Sequence, residues 1–168
     1  MVSFNHRSLM VFEQMSTQEQ ALLVDCAHAL KRAAQSGHLR QQSLLRGRRL
    51  GVLCESADQE DASLFQHAAS ELGALVAHVR PNLSASSSPQ DVRHTSRMLE
   101  RLYDAVECEG MPPALVQLMR DNASIPIFNG LASRAHPIAE LADQLGDTLE
   151  PIDRRRLIVQ AALVQSIG

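Results

Sequence analysis

The chain has 168 residues, 45% of them hydrophobic and 21% charged, with a formal net charge of −3. That composition suits one globular domain with a real core, and it argues against a disordered chain or a basic nucleic-acid binder. No apolar run approaches the ~20 residues of a membrane span, and no predicted helix carries a basic face suited to anionic lipid. Aromatic residues are scarce, with no Trp and one Tyr, so the core must be aliphatic. Cys26, Cys54 and Cys108 share no motif spacing and lie in apolar segments, which points to free thiols in a reducing cytoplasm.

Residues 1–15 read as a short lead-in without a signal-peptide layout. Ser16-Thr17-Gln18-Glu19 forms a capping box, with Ser16 as N-cap and Glu19 reaching back. Leu22, Leu23, Cys26, Ala27 and Leu30 then recur at helical spacing, so one helix face is buried, and Gly37 ends the helix. Leu39 to Arg49 reads as a polar connection. Leu50 to Cys54 is a buried strand, Glu55 to Ala57 a turn, and about Asp58 to Leu72 a helix. Gly73-Ala74 leads into a second strand, Leu75 to Val79, stopped by Pro81. Asn82 to Pro89 is a Ser-rich loop containing the run Ser84 to Ser88.

A further helix places Val92, Thr95, Leu99 and Leu102 on one face. Ala105 to Cys108 is a short third strand, and Pro113 sits near the first turn of the next helix. Ile125 to Phe128 is the fourth strand. His136-Pro137 opens a helix through Leu145, closed by Gly146. Strands alternating with helices through crossover-length connections predict an α/β fold, a parallel sheet with helices on both faces. The last helix, Asp153 to Ile167, has little polar surface and must be deeply packed. Arg154, Arg155 and Arg156 stand at its start, where the dipole disfavours cations. They are solvated, or they meet an anion, a partner or a carboxylate.

The stretch Gly51 to Ala74 is strand, loop and helix N-terminus, the usual architecture for gripping phosphate. Its turn nevertheless carries Glu55, Asp58, Glu60 and Asp61, with no basic residue before Arg80. As first-turn residues the acids suit the helix dipole. As a site they would receive a cation: an amine, a metal or an arginine.

Several segments in order carry a resemblance. Leu50-Gly51-Val52-Leu53-Cys54-Glu55, Phe65 with Glu71-Leu72-Gly73-Ala74, and His94-Thr95-Ser96-Arg97 with Arg101-Leu102-Tyr103-Asp104 follow one another. Ile125-Pro126-Ile127-Phe128-Asn129-Gly130-Leu131, then His136-Pro137 with Leu141-Ala142-Asp143, and Arg155 to Ile167 complete the series. Together they resemble the carbamoyl-phosphate-binding N-terminal domain of the aspartate and ornithine carbamoyltransferases. The resemblance implies a four-stranded parallel sheet in the order 2-1-3-4, closed by a C-terminal helix. It implies one domain over residues 1–168, with a core in 1–147 and the equivalent of the family's final helix in 152–168. The amino-acid-binding domain that lies between them in the family is absent, and Gly146 to Pro151 rejoin the ends.

The resemblance also locates the departures. Where the family places its phosphate-binding Ser-Thr-Arg-Thr, this chain has Asp58, Gln59, Glu60 and Asp61, followed by Ala62 in place of an arginine. Glu109 replaces the arginine after the third strand, and Ala139 replaces the glutamine of H-P-x-Q. His136 is retained. The expectation is therefore a carbamoyltransferase-like pseudoenzyme, cytoplasmic, needing no cofactor and no metal, acting as a binding, scaffolding or regulatory subunit. It would self-associate, as a trimer by resemblance, or join an active carbamoyltransferase, and would bind neither nucleic acid nor membrane. One alternative is the carbamoyl-phosphate-binding part of an enzyme completed in trans. Another is a sensor of a small amine or cation.

Overall fold

A computed structural model describes residues 12–37, 43–55 and 59–168. Helices α1 (Thr17–Gln35), α2 (Glu60–Glu71), α3 (Pro89–Leu102), α4 (Pro113–Asp121) and α5 (Pro151–Ile167) surround strands β1 (Arg49–Leu53), β2 (Leu75–Val79), β3 (Ala105–Cys108) and β4 (Ile127–Asn129), and a 3-10 helix spans Pro137–Leu145. The sheet is parallel throughout, in the order β2-β1-β3-β4. Leu50 pairs with Val76 on one side and Ala105 on the other. The α/β class and the strand order expected from the resemblance are those observed.

Side-chain alternation along the strands feeds two cores. Leu50, Val52, Ala105 and Phe128 face the larger one, shared with α1, α2, the 3-10 helix and α5. Leu53, Val106, Cys108 and Ile127 face the smaller one, beneath α3 and α4. Helix α5 buries residues Leu157 to Leu163 without a break. It packs against α1, α2 and the 3-10 helix, so its polar residues need partners inside the fold. Gln160 donates to the Ala68 carbonyl and to Glu71.

The predicted capping box of α1 is present in both directions. Lys31, the chain's single lysine, donates to the Leu145 carbonyl at 3.0 Å and the Thr148 hydroxyl at 2.9 Å, tying α1 to the end of the 3-10 helix. Three expectations change. β4 starts at Ile127 instead of Ile125, because Pro126 has no N–H for the ladder and serves only as acceptor, from Val106. The buried face of α3 is Val92, Ser96 and Leu99, while Leu102 is exposed; Ser96 enters the core by donating to the Val92 carbonyl. The lead-in and the β1 approach are not merely polar connections. Phe12 and Leu45 are fully buried, and the Phe12 ring lies 6.1 Å from that of Phe128.

Candidate functional site

A cleft of about 540 Å³ opens at the carboxyl ends of β3 and β4, where ligands bind in parallel α/β sheets. The start of α2 contributes Gln59 and Asp61, the segment after β3 contributes Glu109 and Met111, the end of β4 contributes Asn129, and the turn after it contributes Ser133. His136 and Glu13 complete its polar lining. Among the described residues that line it there is no Lys or Arg.

The acids differ in how they are satisfied. Glu107, in the middle of β3, is fully buried beneath the turn that follows β4. The Leu131 N–H donates to both its oxygens, at 3.1 and 2.9 Å. Gly130 makes this turn with a φ of +62°, a conformation that costs glycine little. Burial, then the charge of Glu109, push Glu107 well above the usual carboxylate range, against the backbone donors of Leu131, Gly130 and Ala132. Glu109 is only 7% exposed, and its Oε1 is closed off from solvent without a hydrogen-bond partner. Burial, then the Asp61 carboxylate, push it up to about 7.

The other two cleft acids have cations. Glu13 pairs with Arg120 at 2.9 Å, whose Nε also donates to the Ile127 carbonyl. Asp61 pairs with Arg155 at 3.3 Å. Glu60, outside the cleft lining, meets Arg155 at 3.6 Å and Arg134 at 3.4 Å. Arg155 is a buried arginine of α5, and it donates to the Ala132 carbonyl as well. The chain thus supplies from its last helix a guanidinium to the acids at the start of α2. Arg154 turns to the Gly146 carbonyl and Asp147, and Arg156 to Glu71 and Asp153.

Of the remaining predicted positions, Asp58 lies outside the described residues. Gln59 occupies the N-cap of α2 without a side-chain cap bond, and Ala62 is fully buried. His136 caps the 3-10 helix, its Nδ1 accepting from the Ile138 N–H at 3.3 Å, and lines the cleft while 5% exposed. Ala139 lies apart, in a smaller groove of about 240 Å³ beside Arg134 and Arg155.

Two features escaped the reading of the sequence. Glu107 was visible as an acid inside an apolar strand, a signal that a buried carboxylate needs donors, but nothing local says which. The other is a relay behind the sheet edge. The Cys54 thiol lies 3.6 Å from His78 Nδ1, and His78 Nε2 lies 2.7 Å from Gln66 Oε1. Because an amide oxygen only accepts, Nε2 carries the proton and Nδ1 faces the thiol. Burial, then Glu109 and Glu55, push the Cys54 thiol up, so it is held as a neutral donor. Among the described residues, no group of three or more His, Cys, Asp or Glu side chains is arranged to hold a metal ion. No described helix is long and apolar enough to cross a membrane.

A sequence model of the family described as "Aspartate/ornithine carbamoyltransferase, carbamoyl-P binding domain" matches residues 7–146. The chain is 32% identical over 143 residues to the catabolic ornithine carbamoyltransferase of Pseudomonas putida, covering 85% of this chain and 42% of that one. It is 35% identical over 144 residues to the catabolic ornithine carbamoyltransferase of Burkholderia mallei, covering 84% and 42%. Among solved structures, the ornithine carbamoyltransferase from Pyrococcus furiosus aligns with a TM-score of 0.70 at 23% identity, covering 86% of this chain and 46% of that one. Aspartate transcarbamoylase from Trypanosoma cruzi, solved in complex with carbamoyl phosphate, aligns with a TM-score of 0.59 at 24% identity, covering 81% and 44%. The chain spans less than half the length of these relatives.

Proposed function

This chain belongs to the aspartate/ornithine carbamoyltransferase family, in its carbamoyl-phosphate-binding domain, and we propose that here the domain has become a non-catalytic binding, scaffolding or regulatory subunit. The observation that carries the reading is the charge of the cleft. Glu109 and Asp61 line it, and no described Lys or Arg does. Carbamoyl transfer needs donors around the phosphate and around the carbonyl where negative charge develops. A cation replaced by an anion at about 4 Å turns a pair attraction of roughly 4 kcal/mol, at an effective dielectric of 20, into a repulsion of the same size. The backbone N–H groups at the start of α2 are too weak to offset that, since a helix terminus contributes only about 0.3–1 kcal/mol to a nearby exposed charge.

The Arg155 pairs support the same reading. The guanidinium nearest the start of α2 is already committed to Asp61, Glu60 and the Ala132 carbonyl. We also propose that α5 is the equivalent of the family's final helix, closing one domain over residues 1–168. Its burial against α1, α2 and the 3-10 helix is what such a helix requires.

Calorimetric titration with carbamoyl phosphate, with inorganic phosphate as control, tests the proposal. No saturable binding up to millimolar ligand is the expected result. Saturable micromolar binding overturns it in favour of a carbamoyl-phosphate-binding part completed in trans. The subunit role predicts self-association or co-purification with an active carbamoyltransferase. A strictly monomeric protein that captures no such enzyme would refute that part.

A further inference from the structure

Each acid on the cleft lining is paired with an arginine except one. Glu13 has Arg120 and Asp61 has Arg155, while Glu107, behind the lining, has the N–H of Leu131. Glu109 is more than nine-tenths buried, lines the cleft, and keeps Oε1 without a donor. Burying a carboxylate oxygen without a hydrogen bond is costly, and native folds rarely retain such a group without a use.

We propose that the cleft at the carboxyl ends of β3 and β4 is a binding site for a small organic cation, an ammonium or guanidinium group seated against Glu109. The inference rests on the reading that the cleft is closed to phosphate. Three properties select this class of ligand. The lining is acidic, with Glu13, Asp61 and Glu109 on it and no described Lys or Arg. A divalent metal would need several converging donors, and no such group exists among the described residues. At about 540 Å³ the cleft also has room for an organic body, and Met111, Pro113 and Pro137 give that body apolar wall to lie on. An ammonium or guanidinium group seated on the lining supplies the positive charge that the Glu109 carboxyl lacks.

Binding is then coupled to proton release. The charged or titratable groups around Glu109 are Asp61 on α2, Glu107 and Cys108 on β3, and Cys54 after β1, with Glu13 and His136 on the shared lining, and Arg155 and Arg120 beyond them, paired with Asp61 and Glu13. With Glu109 pushed up to about 7, its ionised fraction falls about tenfold from pH 8 to pH 6.

The test is calorimetry on the full chain with butylammonium, 1,4-diaminobutane and guanidinium, with n-butanol and sodium chloride as controls for body and charge. One-site binding of at least one organic cation at pH 8 is expected, weakening about tenfold at pH 6, with protons released to the buffer. Glu109→Gln should weaken it at least tenfold. No binding by any of the three cations overturns the inference, as does equal affinity in Glu109→Gln, equal affinity at both pH values, or displacement by sodium chloride at matched ionic strength. Carbamoyl phosphate is titrated in parallel. Its binding would overturn the proposed function, whereas silence from both ligand classes removes only the cation site.

Discussion

Replacing Glu109 by Gln should stabilise this protein, increasingly as pH rises from about 4.5 to 7. A carboxyl that is raised on folding binds more protons in the folded than in the unfolded chain between its two pKa values. Stability therefore falls as pH rises through that window. For Glu109 the window runs from the ordinary value of 4.5 to about 7. At about 1.4 kcal/mol per pKa unit the full loss would be about 3 kcal/mol above pH 7, and water in the open cleft reduces it toward ~2 kcal/mol. Gln keeps the shape of the protonated acid and cannot ionise. At pH 5 the two proteins should melt within about 2–3 °C of each other. At pH 8 the variant should melt about 4–8 °C higher, at roughly 2–4 °C per kcal/mol for a chain of this size. Thermal unfolding followed by circular dichroism across pH 5–8 measures the difference directly. A gap that does not change with pH would refute the reasoning. So would a variant that is less stable at pH 8, since Glu109 would then be ionised against a favourable partner.

Arg155→Met strips the guanidinium from Asp61, Glu60 and the Ala132 carbonyl. Removing one partner of a buried pair costs about 3–5 kcal/mol, and the partial exposure of both acids lowers the expectation to ~2 kcal/mol, read by urea denaturation. Adding Asp61→Asn should recover part of that loss, and no recovery would count against the pairing. Gly51→Ala puts a methyl about 3.0 Å from the Tyr103 ring, tighter than van der Waals contact. It should cost about 1–3 kcal/mol by overpacking, and a neutral result would show that the ring moves freely. Phe12→Ala should cost about 3–5 kcal/mol, because Phe12 is fully buried against Phe128, and a cost below about 1 kcal/mol would refute that packing.

The elements and their order were readable because local chemistry writes them. A capping box, period-2 apolar runs and glycine turns fix where helices and strands begin and end, and β2 and β3 were placed to the residue. The misplaced start of β4 shows the limit of that reading. An apolar run marks a strand, but the proline within it decides which residues can join the ladder. The candidate site was readable as a list of acids, His136 and three arginines, and as the motif positions they occupy. How those charges are matched was not readable.

Arg155 and Asp61 are 94 residues apart, and Glu107 meets its donor 24 residues on. Short-range patterns carry no information about such pairs, because they form only when the crossovers stack α5 on α2 and fold the turn after β4 over β3. The sequence therefore settled the class of fold, the family and the absence of Lys and Arg from Glu55 to Val79. Only the tertiary structure decided that Asp61 is neutralised from within, that Glu107 is sealed under a turn, and that Glu109 is left facing the cleft with its charge unmet.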